Sequence, residues 1–115
     1  MLTVEETFRR LTIGDPRLMA AIGDTERADP DLHRLDERAE RLLRIAALIA
    51  LDAPQTAYES AVAAAQRAGA DLEDLLGVLV AVAGAVGSVR VAAAAPRIAL
   101  AAGYDVEAAL ERLDA

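Results

Sequence analysis

The strongest constraint on the fold is the spacing of the apolar residues, which recur every three or four positions along most of the chain. The period-2 alternation that marks half-buried strands is missing. Short breaks containing Gly or Pro divide the chain into segments of helical length. The sequence therefore predicts an all-α protein, an orthogonal bundle of about six to seven helices in a single domain covering residues 1–115.

Side chains that cap helix ends predict where these helices begin. Thr3 with Glu6, and Asp71 with Asp74, have the spacing of a capping box. Asp15 precedes Pro16, which suits the first turn of a helix. The predicted helices begin at or just after Thr3, Asp15, Asp36, Pro54, Asp71, Ser88 and Asp105.

Two segments interrupt this pattern. Residues 23–34 are the most polar part of the chain, and they predict a surface linker with a helical turn after Pro30. Pro96 lies inside the sixth predicted helix, where it should kink the helix or split it near Ala95.

Two apolar segments are predicted to be enclosed by other helices. Ile45–Leu51 is apolar on every side, and Leu75–Val89 carries no charge. Gly77, Ala81 and Ala85 share one face of the second segment and would let another helix approach closely. The charge-free run falls short of the roughly 20 residues that span a bilayer, so we interpret it as a buried helix.

Composition limits the chemistry and the partners. Hydrophobic residues make up 55% of the chain but aromatic residues only 3%, so a core of Ala, Leu and Val would benefit from association between subunits. The net charge of −7 disfavours nucleic acid and anionic membranes as partners. Cysteine is absent and His33 is the only histidine, which excludes disulfides, thiolate nucleophiles and multi-histidine metal sites within one subunit. We expect no cofactor and no metal.

The N-terminal residues lack the basic start and apolar run of a signal peptide, so we expect a cytoplasmic protein. All of the basic residues are Arg, apart from His33, and Ala is abundant. This bias is typical of a GC-rich bacterial source.

The segment Leu35–Gly87 carries a recognisable order of features. LDERAER opens a helix at residues 35–41, an apolar stretch follows, and the next helix ends in Ala68-Gly69-Ala70. An acidic helix start and a helix rich in Val, Ala and Gly come after it. This order resembles the carboxymuconolactone decarboxylase and alkyl hydroperoxidase D superfamily. The resemblance implies a helical fold that assembles as a homotrimer or homohexamer.

The reactive positions of that superfamily are altered here. The redox members carry C-x-x-C-x-x-x-H at the start of the helix before the AGA-like turn, and these positions match Pro54, Ala57 and Ala61. The proton-relaying Glu of the family falls on Glu40 or Arg41. Pro and Ala cannot attack, donate or accept a proton, so thiol peroxidase and disulfide-exchange chemistry are excluded. The lactone decarboxylases carry a His near the position of Ala61.

The polar residues that remain define a candidate pocket of Glu40, Tyr58, Glu59 and Arg90. Two of them also have a structural interpretation: Tyr58 as a residue at the core edge, and Glu40 as half of a surface ion pair with Arg44. Arg90 stands between two valines, so we expect it to be buried against an ionic partner, within the subunit or across an interface, or to bind an anion.

Three functions are compatible with these residues. The first is a non-catalytic, oligomeric protein that assembles and binds a small apolar or carboxylated molecule, or only assembles. The second is a decarboxylase or lactone-processing enzyme with Glu40 or Glu59 as acid/base, Tyr58 as donor and Arg90 as substrate anchor. The third is a scaffold that binds partners through the acidic linker.

Overall fold

The computed structural model describes residues 2–23, 29–104 and 106–114, and within these ranges it contains seven α-helices, one 3₁₀ turn and no strand. The all-α prediction is confirmed for the described residues. The helices are α1 (Val4–Thr12), α2 (Pro16–Ile22), α3 (Glu37–Ala50), α4 (Gln55–Arg67), α5 (Leu72–Val86), α6 (Ser88–Ala101) and α7 (Val106–Asp114).

The chain divides into two compact units, Met1–Asp36 and Glu37–Ala115. The first contains α1, α2 and the 3₁₀ turn Pro30–Leu32, which confirms the helical turn predicted after Pro30. Residues 24–28 of the predicted linker lie outside the described residues, as does the predicted cap Asp105.

Side-chain caps start both helices of the first unit. The hydroxyl of Thr3 accepts a hydrogen bond from the Glu6 main-chain N–H at 3.1 Å, as the sequence predicts. The carboxylate of Glu6 does not complete the capping box with the Thr3 main-chain N–H. It accepts hydrogen bonds from Arg9 at 2.7 Å and Arg10 at 3.2 Å instead. These two hydrogen bonds lower the pKa of Glu6 from 4.5 to about 2. The Asp15 carboxylate caps α2 through the Arg17 N–H at 3.0 Å.

The second unit has one apolar core, to which α3, α4, α5 and α6 all contribute. The side chains at its centre are almost completely buried: Ile45, Ile49, Tyr58, Val62, Ala65, Leu75 and Ile98. α7 contacts α6. Burial of one aromatic and several branched side chains, each contributing roughly 1.5–3 kcal/mol, holds this unit together.

The ends of α4 and α5 form as the sequence predicts. Gly69 follows α4 with a φ of +95°, a backbone conformation that a side chain would strain. Asp71 and Asp74 form the reciprocal capping box at the start of α5, at 2.9 Å and 3.0 Å. α6 runs unbroken through Pro96, so a division near Ala95 is wrong. Pro96 deprives only the Ala92 carbonyl of its helical donor, and Ala92 is exposed, where water can replace that donor.

The two apolar segments predicted to be enclosed are only half enclosed. Leu51 is 76% exposed at the end of α3, and Val80 is 69% exposed in the middle of α5. Only Leu75 and Leu79 of α5 are buried. A four-helix core covers one side of each helix, so an all-apolar helix leaves its other side exposed.

None of the described helices is both long enough and apolar enough to cross a membrane. A cytoplasmic location stays a prediction from the sequence.

Candidate functional site

The positions that match the superfamily's reactive groups lie at the start of α4. Pro54 occupies the N-cap position and is exposed. Ala57 and Ala61 follow on the inner side of α4, are half-buried, and pack against the apolar core. Methyl groups therefore stand at the positions that the resemblance aligns with a thiol and an imidazole, and they pack against the core.

A polar cluster surrounds the turn that precedes these positions. Arg97 of α6 donates from Nη1 to the main-chain carbonyl of Ala53 at 2.9 Å, and the same nitrogen lies 3.3 Å from Oδ1 of Asp52. Gln55 Nε2 donates in return to the main-chain carbonyl of Arg97 at 2.8 Å. Asp52 holds a φ of +51°, which is uncommon for a residue other than Gly. These contacts fasten the α3–α4 turn to α6.

Tyr58 lies beneath this cluster and is the largest fully buried side chain, with 1% of its surface exposed. Burial raises the pKa of its phenol, the nearby Arg97 lowers it, and Asp52 raises it again. The net effect raises the pKa above its ordinary value of 10.0. Tyr58 is therefore a neutral phenol at neutral pH, able to donate a hydrogen bond but unable to act as a base.

Arg90 is not buried within the subunit, although its position between two valines favours burial. It is exposed in the first turn of α6, and it makes no hydrogen bond or ion pair with another described residue. Burial of Arg90 within the subunit is therefore wrong, because the side of α6 that packs against the core carries Val91, Ala94 and Ile98. An ionic partner across an interface stays a prediction. Arg97, two helical turns further on, is the cation beside Tyr58.

Neither candidate carboxylate is among the charged groups that shift the pKa of Tyr58. Glu59 follows Tyr58 on α4 but is exposed, since successive helical side chains point about 100° apart. Glu40 is half-buried on α3. The charged groups that act on the Tyr58 phenol are Arg97 and Asp52. Arg97 is not among the residues of the predicted pocket, although it shares a face with Arg90 at a spacing of seven residues.

Within the first unit, Arg34 borders a hollow of about 240 Å³ that is also lined by Leu2, Thr7 and the acids Asp29 and Asp31. Arg34 donates to the Leu2 carbonyl at 3.4 Å. Its guanidinium therefore ties the described end of the linker to the segment before α1. Over residues 2–23, 29–104 and 106–114, no three His, Cys, Asp or Glu side chains are grouped in a way that could hold a metal ion.

The most unusual surface of the second unit is one side of α5, which we call the α5 face. Its apolar members are all exposed, with Val80 at 69% and Leu76 at 58%. A side chain added at Gly77 or Gly84 would meet no neighbouring atom within 4 Å. The α5 face consists of Leu72, Leu76, Gly77, Val80, Ala81, Gly84 and Ala85. The small residues predicted to admit a neighbouring helix therefore lie on the exposed side of α5, away from α3 and α6.

Comparison of the chain with protein-family models, curated proteins and solved structures gives no significant match. A family assignment therefore depends on the pattern of Leu35–Gly87 alone.

Proposed function

We propose that this chain is a non-catalytic, oligomeric helical protein built on an orthogonal bundle of the carboxymuconolactone decarboxylase type. The observation that carries the proposal is the packing of Ala57 and Ala61. These two methyl groups occupy the positions of a thiol and an imidazole, and they line the apolar core. A chain without Cys, whose one His lies outside the segment of resemblance, has no other group for the same chemistry.

The α5 face supports the oligomeric part of the proposal. Contiguous exposed apolar surface on a protein is typical of an interaction site, because leaving it in water forfeits about 25 cal/mol per Å². Leu76 and Val80 at its centre are more than half exposed. The homotrimer or homohexamer implied by the resemblance would cover this surface.

The alternative, a decarboxylase or lactone-processing enzyme, has weaker support. It needs an acid/base and a cation that converge on Tyr58, whereas Glu59 and Arg90 are exposed. The cation that does reach Tyr58, Arg97, is engaged with Ala53 and Asp52. An anchor for a substrate carboxylate would first have to give up these partners. The same engagement weighs against small-molecule binding at this cluster.

Light scattering coupled to size-exclusion chromatography at micromolar concentration tests the proposal, together with peroxidase and lactone decarboxylase assays. We expect an oligomer without turnover in either assay. Val80→Arg should weaken assembly by placing a charge on the α5 face. Ser60→Arg puts the same side chain on the exposed side of α4 and should leave assembly unchanged.

Two results would overturn the proposal. One is a wild-type chain that stays monomeric at these concentrations. The other is turnover that disappears in Tyr58→Phe, since that variant keeps the buried ring and removes only the hydroxyl.

A further inference from the structure

The α5 face has a sequence that is complementary to itself when read in the opposite direction. If a second α5 runs antiparallel and crosses between Val80 and Ala81, those two residues face each other. Gly77 then faces Gly84, and Leu76 faces Ala85. All six residues are exposed. Among these six central residues each large side chain meets a small one, and the two glycines let the helix backbones approach closely.

The charges at the two ends of the α5 face are opposite. Glu73 lies in the first turn of α5, is exposed, and has no ion pair with another described residue. Its neighbouring acids are engaged, since Asp71 and Asp74 cap each other and Asp74 also accepts from Arg38. Arg90 lies just beyond the other end of α5, exposed and likewise unpaired among the described residues. An antiparallel partner brings Glu73 of one subunit to the end that carries Arg90 of the other.

We infer that the α5 face is a two-fold interface on which α5 of a second copy of this chain packs antiparallel, with Glu73 of each subunit facing Arg90 of the other. This inference rests on the proposed function, and it adds the partner helix, its direction and the paired charges. The antiparallel arrangement also sets opposite ends of the two helix dipoles side by side.

The inference selects between the two assemblies implied by the resemblance. An isologous contact joins the same surface of two subunits, so assemblies that use it contain an even number of subunits. A homohexamer can be built from such pairs, whereas a closed homotrimer cannot contain them.

The absence of cysteine makes the helix direction directly measurable. Single-cysteine variants carry one thiol per subunit, and a short bis-maleimide joins two thiols only when they are close. In an antiparallel pair Ala81→Cys lies near the axis and should link to itself. Val89→Cys lies at one end and should not link to itself, but it should link to Leu72→Cys when the two variants are mixed. Ser60→Cys, on the exposed side of α4, is the matched control.

The charge pair is tested separately by exchange. Glu73→Arg and Arg90→Glu should each weaken association by about three- to tenfold, a size typical of exposed ion pairs. The double variant restores opposite charges across the interface and should recover most of the wild-type affinity. Circular dichroism confirms that each variant is folded.

The outcomes separate this inference from the proposed function. An oligomer in which the Val89→Cys variant links to itself, or in which the exchanged double variant gains nothing over the single variants, overturns the antiparallel pairing and leaves the oligomeric proposal standing. A monomeric wild-type chain overturns both. Linking at Ala81→Cys, mixed linking of Leu72→Cys with Val89→Cys and recovery by charge exchange together support the inference.

Discussion

Arg97 of α6 reaches Asp52 in the turn between α3 and α4, with Nη1 3.3 Å from Oδ1. The same guanidinium holds the Ala53 carbonyl at 2.9 Å. A residue of α6 thus fixes the turn from which α4 begins. Ala57, Ala61 and Tyr58, which follow that turn, depend on it for their positions against the core.

Replacing Arg97 should destabilise the second unit. Arg97→Gln removes the hydrogen bond to Ala53 and the contact with Asp52, so we expect a loss of roughly 1–2 kcal/mol in the free energy of unfolding. Urea denaturation followed by circular dichroism measures it. Arg90→Gln on the same helix is the matched control, and both variants are measured in a Val80→Arg background so that association does not contribute. Because Arg90 is exposed, its effect there should stay within about 0.5 kcal/mol. Equal losses in the two variants would contradict the anchoring role of Arg97.

Tyr58 should contribute to stability through its ring. Tyr58→Ala leaves a cavity at a site that is 1% exposed, and large-to-small substitutions of this kind cost roughly 3–5 kcal/mol. Tyr58→Phe keeps the buried ring and should cost far less, because the most it can lose is one hydroxyl hydrogen bond, which contributes roughly 0.5–1.5 kcal/mol. Urea denaturation of both variants checks this. A Phe variant as unstable as the Ala variant would show that the hydroxyl carries the stability.

Raising the pH should ionise Tyr58 only as the fold is lost. Its folded pKa is raised above 10.0, so the stability it contributes is present below that value and is lost as the pH rises through the folded pKa. Tyr104→Phe leaves Tyr58 as the only tyrosine, so the ultraviolet absorbance of phenolate reports on it alone. We expect phenolate to appear above pH 10 together with loss of the helical circular dichroism. Phenolate that forms below that pH in a folded chain would contradict the burial of Tyr58.

Acid should weaken the start of α5. The hydrogen bond from the Asp71 main-chain N–H is the largest cause of the lowered pKa of Asp74, and Arg38 adds to it. Because the folded pKa lies below 3.8, the stabilisation is present above that value and is lost as the pH falls through the folded pKa. The stability difference between the wild-type chain and Asp74→Asn should therefore shrink at acid pH. Glu73→Gln, in the same helical turn, is the control, and all variants are compared in a Val80→Arg background so that association does not contribute. A stability difference for Asp74→Asn that does not change with pH would contradict the assignment of the lowered pKa to the cap.

Local chemistry explains which features were predictable from the sequence. Caps depend on residues within one turn, so the bonds of Thr3, Asp15 and Asp71 follow from the sequence alone. The absence of strands likewise follows from the spacing of apolar residues. The packing of Ala57 and Ala61 against the core could not be predicted, because it depends on how α3 and α6 surround α4.

Features that depend on neighbouring helices were predicted less well. An apolar stretch such as α5 shows that a surface must be covered, but its sequence does not say whether the same subunit covers it. The predicted pocket contained Arg90 instead of Arg97 for the same reason, because the sequence does not show which neighbouring segment each side chain meets. Both follow the same face of α6, and only the position of the α3–α4 turn decides which of them meets Tyr58.

Two glycines should respond to alanine in opposite directions. Gly69 has a φ of +95°, so Gly69→Ala should destabilise the unit by about 1–2 kcal/mol. Gly77 lies inside α5 with no neighbouring atom within 4 Å of an added side chain, so Gly77→Ala should stabilise it by about 0.5–1 kcal/mol through helix propensity. Both variants should be measured by urea denaturation in a Val80→Arg background, which keeps association from contributing. Destabilisation by Gly77→Ala there would show that α5 is covered within its own subunit, contrary to the exposed α5 face.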